Sequence, residues 1–494
     1  MSLAALLQIG PSSTEPIPRR LTRAVIAAIS DGLLAPGMRL PASRVLAADL
    51  GIGRNGVIAA YEQLAAEGYV ETRTGAGTFV AADLPDRLTS ARPWFGPKGD
   101  GEAGPSRRRL AARALDLLAG IGRIDRDAPV RPFAAGLPAS DAFPWDAWAR
   151  TLRRRWRRPG PLASGQDMRG YEPLRREIAA FLALTRAVRC SPDEVVVTSG
   201  ARQSLDLAVR LLLEPSDAVV VEDPGYPNSD GVLQLAGASV VPVPVDGEGL
   251  DVDLAARRCP APRLILTTPS RNHPLGISMS AARRFRLLEW ARSADAWIVE
   301  DDFDSEFRFE GAPLGALHGL DTDGRVLYAG TFSRLMFPGL RLGYLVVPPD
   351  LAPPVEALRA VTEGPPNAVT QAALADFFAE GRVAGHLRAM RGLYAERCRA
   401  LAAALRKGLG DRIVLGPADG GLHLTAFLPE GTDDVLLVSR LAEAGITARP
   451  LSRYYHEAGR PGLVLGFAAH DIEAIGHAAG RLCETVAAFL DRQS

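Results

Sequence analysis

Lysine is almost missing from this chain. Only Lys98 and Lys407 occur, so 55 of the 57 cationic side chains are arginine. Chemistry that needs a buried, deprotonatable amine therefore has two candidates at most. Net charge is also missing: 57 basic residues balance 57 acidic ones, which excludes a global field that would select a polyanionic partner or an anionic membrane. The four cysteines, Cys190, Cys259, Cys398 and Cys483, are scattered without a CxxC spacing. That excludes a disulfide framework or a cysteine zinc site and points to a reducing cytoplasm. No apolar run approaches a membrane span, and the opening MSLAALLQIGPSS lacks the basic stretch of a signal peptide.

What is present falls into three zones. Residues 14–82 form a compact block of short helical patterns ending in a hairpin, 83–130 read as a Pro-, Gly- and Arg-rich linker with one short helix at 110–121, and 131–494 alternate strand-like and helix-like runs. At 494 residues, more than one domain is expected. Runs such as EVVVTSG, AVVVEDPGYP, LILTTPS, AWIVEDD and VLYAGTF, with amphipathic helices between them, predict a mostly parallel sheet covered on both faces. A smaller subdomain is expected over about 350–494.

In the first zone the pattern predicts helices over 17–31, 42–50 and 54–67, the last two separated by the tight turn Gly51-Ile52-Gly53. Two short strands follow around Arg73-Thr74-Gly75-Ala76-Gly77-Thr78. Arg54 and Asn55 open the third helix, where side chains can reach base edges in a major groove. Arg44 is placed for a phosphate. Arg73, Gly75, Gly77 and Thr78 form a wing tip that can approach the sugar-phosphate chain closely. The block carries seven arginines against six carboxylates over 1–80, so charge alone does not distinguish it from a small helical dimerisation module. The stretches LPASRVLAADLGIGRN, AYEQLAAEGY and RTGAGTFVA resemble the winged helix-turn-helix of GntR-type regulators, which implies operator double-stranded DNA as a partner. Gly53 and Gly56 depart from that pattern, which has capping hydroxyls there.

In the third zone, strand-to-helix junctions collect anion-binding groups. Ser199, Gly200, Ala201 and Arg202 stand where free backbone N–H groups point outward. Tyr226 follows a strand, Asn272 and His273 precede a Pro-Leu-Gly turn, Asp301 ends a strand, and the stretch GTFSRLMFPGLR contributes Thr331, Ser333, Arg334 and Arg341. Strand ends of a doubly wound sheet converge on one crevice. Order and motifs across 131–470 resemble fold type I pyridoxal 5′-phosphate (PLP)-dependent aminotransferases. RPFAAGLPASDAFPWDAW, RGYEPLRREIAAFL and HLRAMRGLYAERCRAL are similar to the MocR subgroup, which joins a GntR-type reader to such a domain. The fold class expected is therefore α/β: a winged helix-turn-helix linked to a fold type I aminotransferase-like domain.

The resemblance implies roles. Asp301 pairs with the pyridine nitrogen; Gly200, Ala201, Thr331, Ser333 and Arg341 hold phosphate; Tyr226 stacks on the ring; Asn272 belongs to the same pocket. It also exposes departures. The family's Schiff-base lysine is Arg334 here, and a guanidinium stays protonated and cannot attack an aldehyde. A ring-contacting tyrosine is Phe303. The stretch SGQDMRGY lacks the tyrosine that reaches a partner's phosphate. Val464 stands where an arginine for a ligand carboxylate is expected, with Arg460 nearby as a substitute. Several changes together argue for drift away from covalent chemistry, leaving no catalytic residue. The expected function is a cytoplasmic DNA-binding regulator, a domain-swapped homodimer, that senses PLP or a related anionic ligand held non-covalently. The alternatives are an aminotransferase with an appended reader and a repressor that responds to no ligand. The run RTLRRRWRR at 150–158 is expected to be a solvated helix face with salt bridges.

Overall fold

The computed structural model describes residues 15–73, 75–84, 110–112, 114–115, 117, 131–163, 167–311 and 315–492. The chain divides into two compact units, 1–108 and 109–494, a boundary inside the expected linker. Half of the linker helix expected at 110–121 lies outside the described residues, and Ala112, Ala114, Leu115 and Leu117 are helical.

In the smaller unit, α1 (Ile17–Ser30), α2 (Ser43–Leu50) and α3 (Arg54–Ala66) precede a hairpin of β1 (Val70–Arg73) and β2 (Gly77–Val80). Each helix turns one apolar stripe inward: Leu21 and Val25 from α1, Leu46 from α2, and Val57, Ala60 and Leu64 from α3 are fully buried in one cluster. Gly51 ends α2 in the left-handed region, at φ 64°, which a side chain would resist, and this sets the sharp turn into α3. As the sequence suggests, Gly53 stands at the start of α3 with no side-chain cap.

The larger unit is built on an eight-stranded sheet in the order β3-β10-β9-β8-β7-β4-β5-β6. Its strands are β3 (Val195–Thr198), β4 (Ala218–Asp223), β5 (Ser239–Asp246), β6 (Gly249–Leu250), β7 (Leu264–Thr267), β8 (Trp297–Asp302), β9 (Val326–Thr331) and β10 (Gly343–Val346). The run β9-β8-β7-β4-β5 is parallel, whereas β10 is antiparallel to both neighbours. Strands β3, β7, β9 and β10 are buried along their whole length, as a sheet covered on both faces requires. A second sheet, β11 (Val414–Leu415), β12 (His423–Phe427), β14 (Gly462–Gly466) and β13 (Arg449–Pro450) in that order, lies in the C-terminal part of the unit. The long helix Arg382–Leu409 packs against the helix Ile472–Leu490 there. The arginine run lies on the helix Trp145–Arg157, where Arg154 and Arg155 pair with Asp376 and Arg154 also with Glu380. No helix among the described residues is long and apolar enough to cross a membrane.

Candidate ligand cavity and candidate DNA interface

The parallel strands end at one edge of the large sheet, and the loops after β4, β7, β8 and β9 feed one cavity of about 280 Å³. From β3 come Ser199 and Gly200, then Ala201 and Arg202 at the start of the helix Ala201–Leu212. Gly200 has φ 125°, a conformation that favours glycine, and its carbonyl already receives the first helical bonds. From β4 comes Tyr226, from β8 Asp301 and Phe303, and from β9 Thr331, Ser333 and Arg334. Because β10 runs the other way, Arg341 enters the same edge from just before its start. Arg341 holds a left-handed backbone, φ 52°, unusual for a side chain of its size and seen mostly where a site requires it.

Strand alternation selects one carboxylate from the run Glu300-Asp301-Asp302. Asp301 faces the cavity. Glu300 and Asp302 face the other side, where Glu300 accepts from the backbone N–H groups of Leu317 and His318 at 3.0 and 2.8 Å. There Asp302 pairs with Arg186 at 2.8 Å and accepts from the Tyr328 hydroxyl at 2.7 Å. Asp301 has no such satisfaction: its Oδ1 is buried without a partner. Burial, then the neighbouring Asp302 charge, pushes its carboxyl up to about 7, against a smaller opposing effect of Arg334.

Arg334 lies with its guanidinium 5.1 Å from the centre of the Phe303 ring. Its Nη1 is buried and has no hydrogen-bond partner. On its other side is Gly136, at which a Cβ would sit 2.7 Å from that Nη1. His273 completes the wall. Its ring makes edge contacts with Tyr226, Phe303, His423 and Tyr454, at 5.1 to 5.4 Å between centres. Burial, then His423, then Arg334, hold its imidazole well below the ordinary histidine range, so it is neutral, and its Nδ1 is unpartnered.

Of the residues singled out in the sequence, Gly200, Ala201, Tyr226, Asp301, Phe303, Thr331, Ser333, Arg334 and Arg341 meet on this cavity. Asn272 and Arg460 are not among its lining residues. The Asn272 amide is turned away to Glu222 at 2.9 Å and the Pro224 carbonyl at 3.2 Å, as part of a buried cluster in which Glu222 also accepts from Thr267 and Thr268. Arg460 is exposed and stacks on Phe427 at 4.4 Å. Val464 is fully buried beside Leu275, Leu451 and Tyr454, and its cross-strand partner is Arg449, a cation that sequence reading overlooked. Gly136 and Leu137 were missed as wall residues because only tertiary packing brings them there. His273 carried a weak signal in its place before the turn. Lys407, the one lysine among the described residues, is exposed on the helix Arg382–Leu409, and Lys98 lies outside the described residues.

In the smaller unit, Arg44, Arg54, Asn55, Arg73, Gly75 and Gly77 are exposed, and Thr78 is half-buried. Arg54 and Asn55 occupy the first turn of α3, and Asn55 points away from the face that carries Val57, Ala60, Tyr61 and Leu64. Arg73 is held over the Phe79 ring at 4.8 Å and paired with Glu71 at 2.5 Å, which stiffens the wing. Arg39, which bridges to Phe79 beside Gly77, adds an exposed cation there that the sequence reading did not single out.

Two family models match the chain: bacterial regulatory proteins of the gntR family over residues 19–80, and aminotransferase class I and II over residues 132–482. The chain is 40% identical to the probable rhizopine catabolism regulatory protein MocR of Rhizobium meliloti, covering 94% of this chain and 93% of that one. It is 34% identical to the HTH-type pyridoxine biosynthesis transcriptional regulator PdxR of Corynebacterium glutamicum, covering 95% and 96%. Among solved structures it is similar to the Pyrococcus horikoshii kynurenine aminotransferase, a complex that includes PMP, with a TM-score of 0.69, 28% identity, and coverage of 79% of this chain and 98% of that one. With a gntR-type helix-turn-helix followed along the chain by an aminotransferase class I and II domain, the chain belongs to the MocR-type family of DNA-binding transcriptional regulators.

Proposed function

We propose that the larger unit is a sensor for PLP or a close phosphorylated relative, held without a covalent bond, and that its occupancy sets how the smaller unit engages operator DNA. The observation that carries this reading is the pairing of a phosphate-suited wall with a permanent cation at 334. The Thr331 and Ser333 hydroxyls, Arg341, Arg202 and the N-terminus of a twelve-residue helix at Gly200-Ala201 suit a phosphate. The unpartnered Asp301 oxygen suits a protonated ring nitrogen, and Tyr226 offers a face for the ring. The residues present therefore fit the group. When bound, it supplies an electrophilic aldehyde and a ring that can delocalise charge. This chain's own contribution is to bind and orient it, not to attack it. An arginine cannot give up the proton that attack requires, so aminotransferase activity is not part of this reading.

On the DNA side, Arg54 and Asn55 are proposed to read base edges. Arg44, Arg73, Gly75, Gly77 and Thr78 are proposed to position the duplex through its backbone. A homodimer that exchanges readers between subunits, acting in the cytoplasm, completes the reading. Two measurements on the full chain test it. Gel shift against the DNA upstream of its own gene, with and without PLP, should show binding whose midpoint the ligand moves. Visible spectra with PLP should show no band that borohydride fixes to the protein. A fixed band would favour an enzyme, and a midpoint that no ligand moves would favour a ligand-independent repressor.

A further inference from the structure

The wall carries three guanidinium groups, Arg202, Arg334 and Arg341, against one carboxylate, Asp301. They do not share one task. Arg202 and Arg341 stand with the helix N-terminus and the hydroxyl loop. Arg334 is distinguished by its two neighbours, the Phe303 ring at 5.1 Å and the Cβ-free surface of Gly136. The aromatic face fixes the plane of the guanidinium and leaves its edge N–H groups to donate. One of those groups, Nη1, is buried and finds no acceptor among the described residues. A buried donor without an acceptor is rare in a folded protein unless a ligand provides one.

Charge balance points the same way. A phosphate ester brings about two negative charges, which Arg202 and Arg341 answer. A protonated ring nitrogen answers Asp301. His273 is neutral and answers nothing. Arg334 makes no ion pair among the described residues, although the Asp301 and Asp304 carboxyls feel its charge. Phe303 offers no acceptor to a donor at its edge, which leaves this Nη1 available to an acceptor on a ligand.

We propose that Arg334 is a carboxylate receptor, and that this domain selects a phosphorylated pyridine carrying a second anionic group, a carboxylate, over the uncharged forms of the same ring. The fork of a guanidinium matches a carboxylate by two parallel hydrogen bonds, a geometry that an ammonium cannot offer. The carboxylate can sit on the ring itself or on an amino acid joined to it. The inference rests on the phosphate-binding reading above.

The test is calorimetric titration of the full chain with three probes. These are pyridoxine 5′-phosphate, which is uncharged at the ring alcohol, 4-pyridoxic acid 5′-phosphate, and N-(5′-phosphopyridoxyl)-L-alanine. At least one carboxylate-bearing probe should bind about tenfold or more tightly than the alcohol, as expected for a charge-assisted pair in a partly desolvated site. Arg334→Met should close that gap, weakening the carboxylate-bearing probes about tenfold more than the alcohol. Arg334→Gln, which keeps a shorter planar donor without the charge or the guanidinium fork, serves if the first variant fails to fold, and circular dichroism verifies the fold of each. Binding of all probes without a gap, or a gap that survives both variants, overturns this proposal and leaves the phosphate reading standing. If no probe binds at all, the phosphate reading falls and takes this one with it.

Discussion

Asp301→Asn should make the ligand-free protein more stable near neutral pH, although it removes a central group of the cavity. The carboxyl is pushed from an ordinary 3.8 up to about 7, chiefly by burial. A folded-state value above the unfolded one means the folded protein holds the extra proton between those limits. Stability is therefore fully retained below the lower value and falls as pH rises through the window to the upper one. Three pH units at 1.36 kcal/mol each amount to about 4 kcal/mol of destabilisation once the group is ionised. Asparagine has the shape of the protonated form and never ionises. Scanning calorimetry of both proteins at about pH 5 and about pH 8 isolates the effect, because Glu300, Asp304 and Glu306, raised in the same range, titrate in both. The variant should gain little at the acid end and gain clearly at the alkaline end, up to about 4 kcal/mol. A gain that does not change with pH, or a loss at about pH 8, would refute the idea that an unpaired buried carboxylate is held ready for a cationic ring.

Arg334→Lys restores an amine at the cavity wall; adding PLP should then produce a visible band that borohydride fixes to the protein, provided the remaining wall is intact. Gly136→Ala would place a Cβ 2.7 Å from Arg334 Nη1 on a backbone with φ 82°, so weaker binding of phosphorylated pyridines and a stability loss of about 1 kcal/mol should follow, read by calorimetry and thermal unfolding. Arg54→Ala and Asn55→Ala should each weaken operator binding by about 1–3 kcal/mol and relax discrimination between sites. By contrast, Arg73→Ala should weaken all sequences alike and reduce the salt dependence in gel shifts.

The helix-turn-helix and the phosphate-suited loop were legible because their information is local. A turn glycine at 51, the hydroxyls at 331 and 333, and the strand end at Asp301 are set by neighbours within a few residues. What was not legible depends on contacts far apart in the chain. Asn272 belongs to the Glu222 cluster, fifty residues upstream, and so is turned from the cavity. Arg460 is close to Val464 in sequence but lies over Phe427, while Arg449 reaches Val464 through strand pairing. Gly136 meets Arg334 across nearly two hundred residues, and no spacing or periodicity records that.

The contact between Gly136 and Arg334 ties two parts of the chain that do different work. Gly136 lies in the first described stretch after the linker zone, so the tether toward the reader and the wall of the cavity are one continuous run of backbone. A Cβ at 136 would sit 2.7 Å from Nη1, so a bare glycine is what lets the guanidinium lie against that run. Any side chain introduced at position 136 would press on Arg334 first.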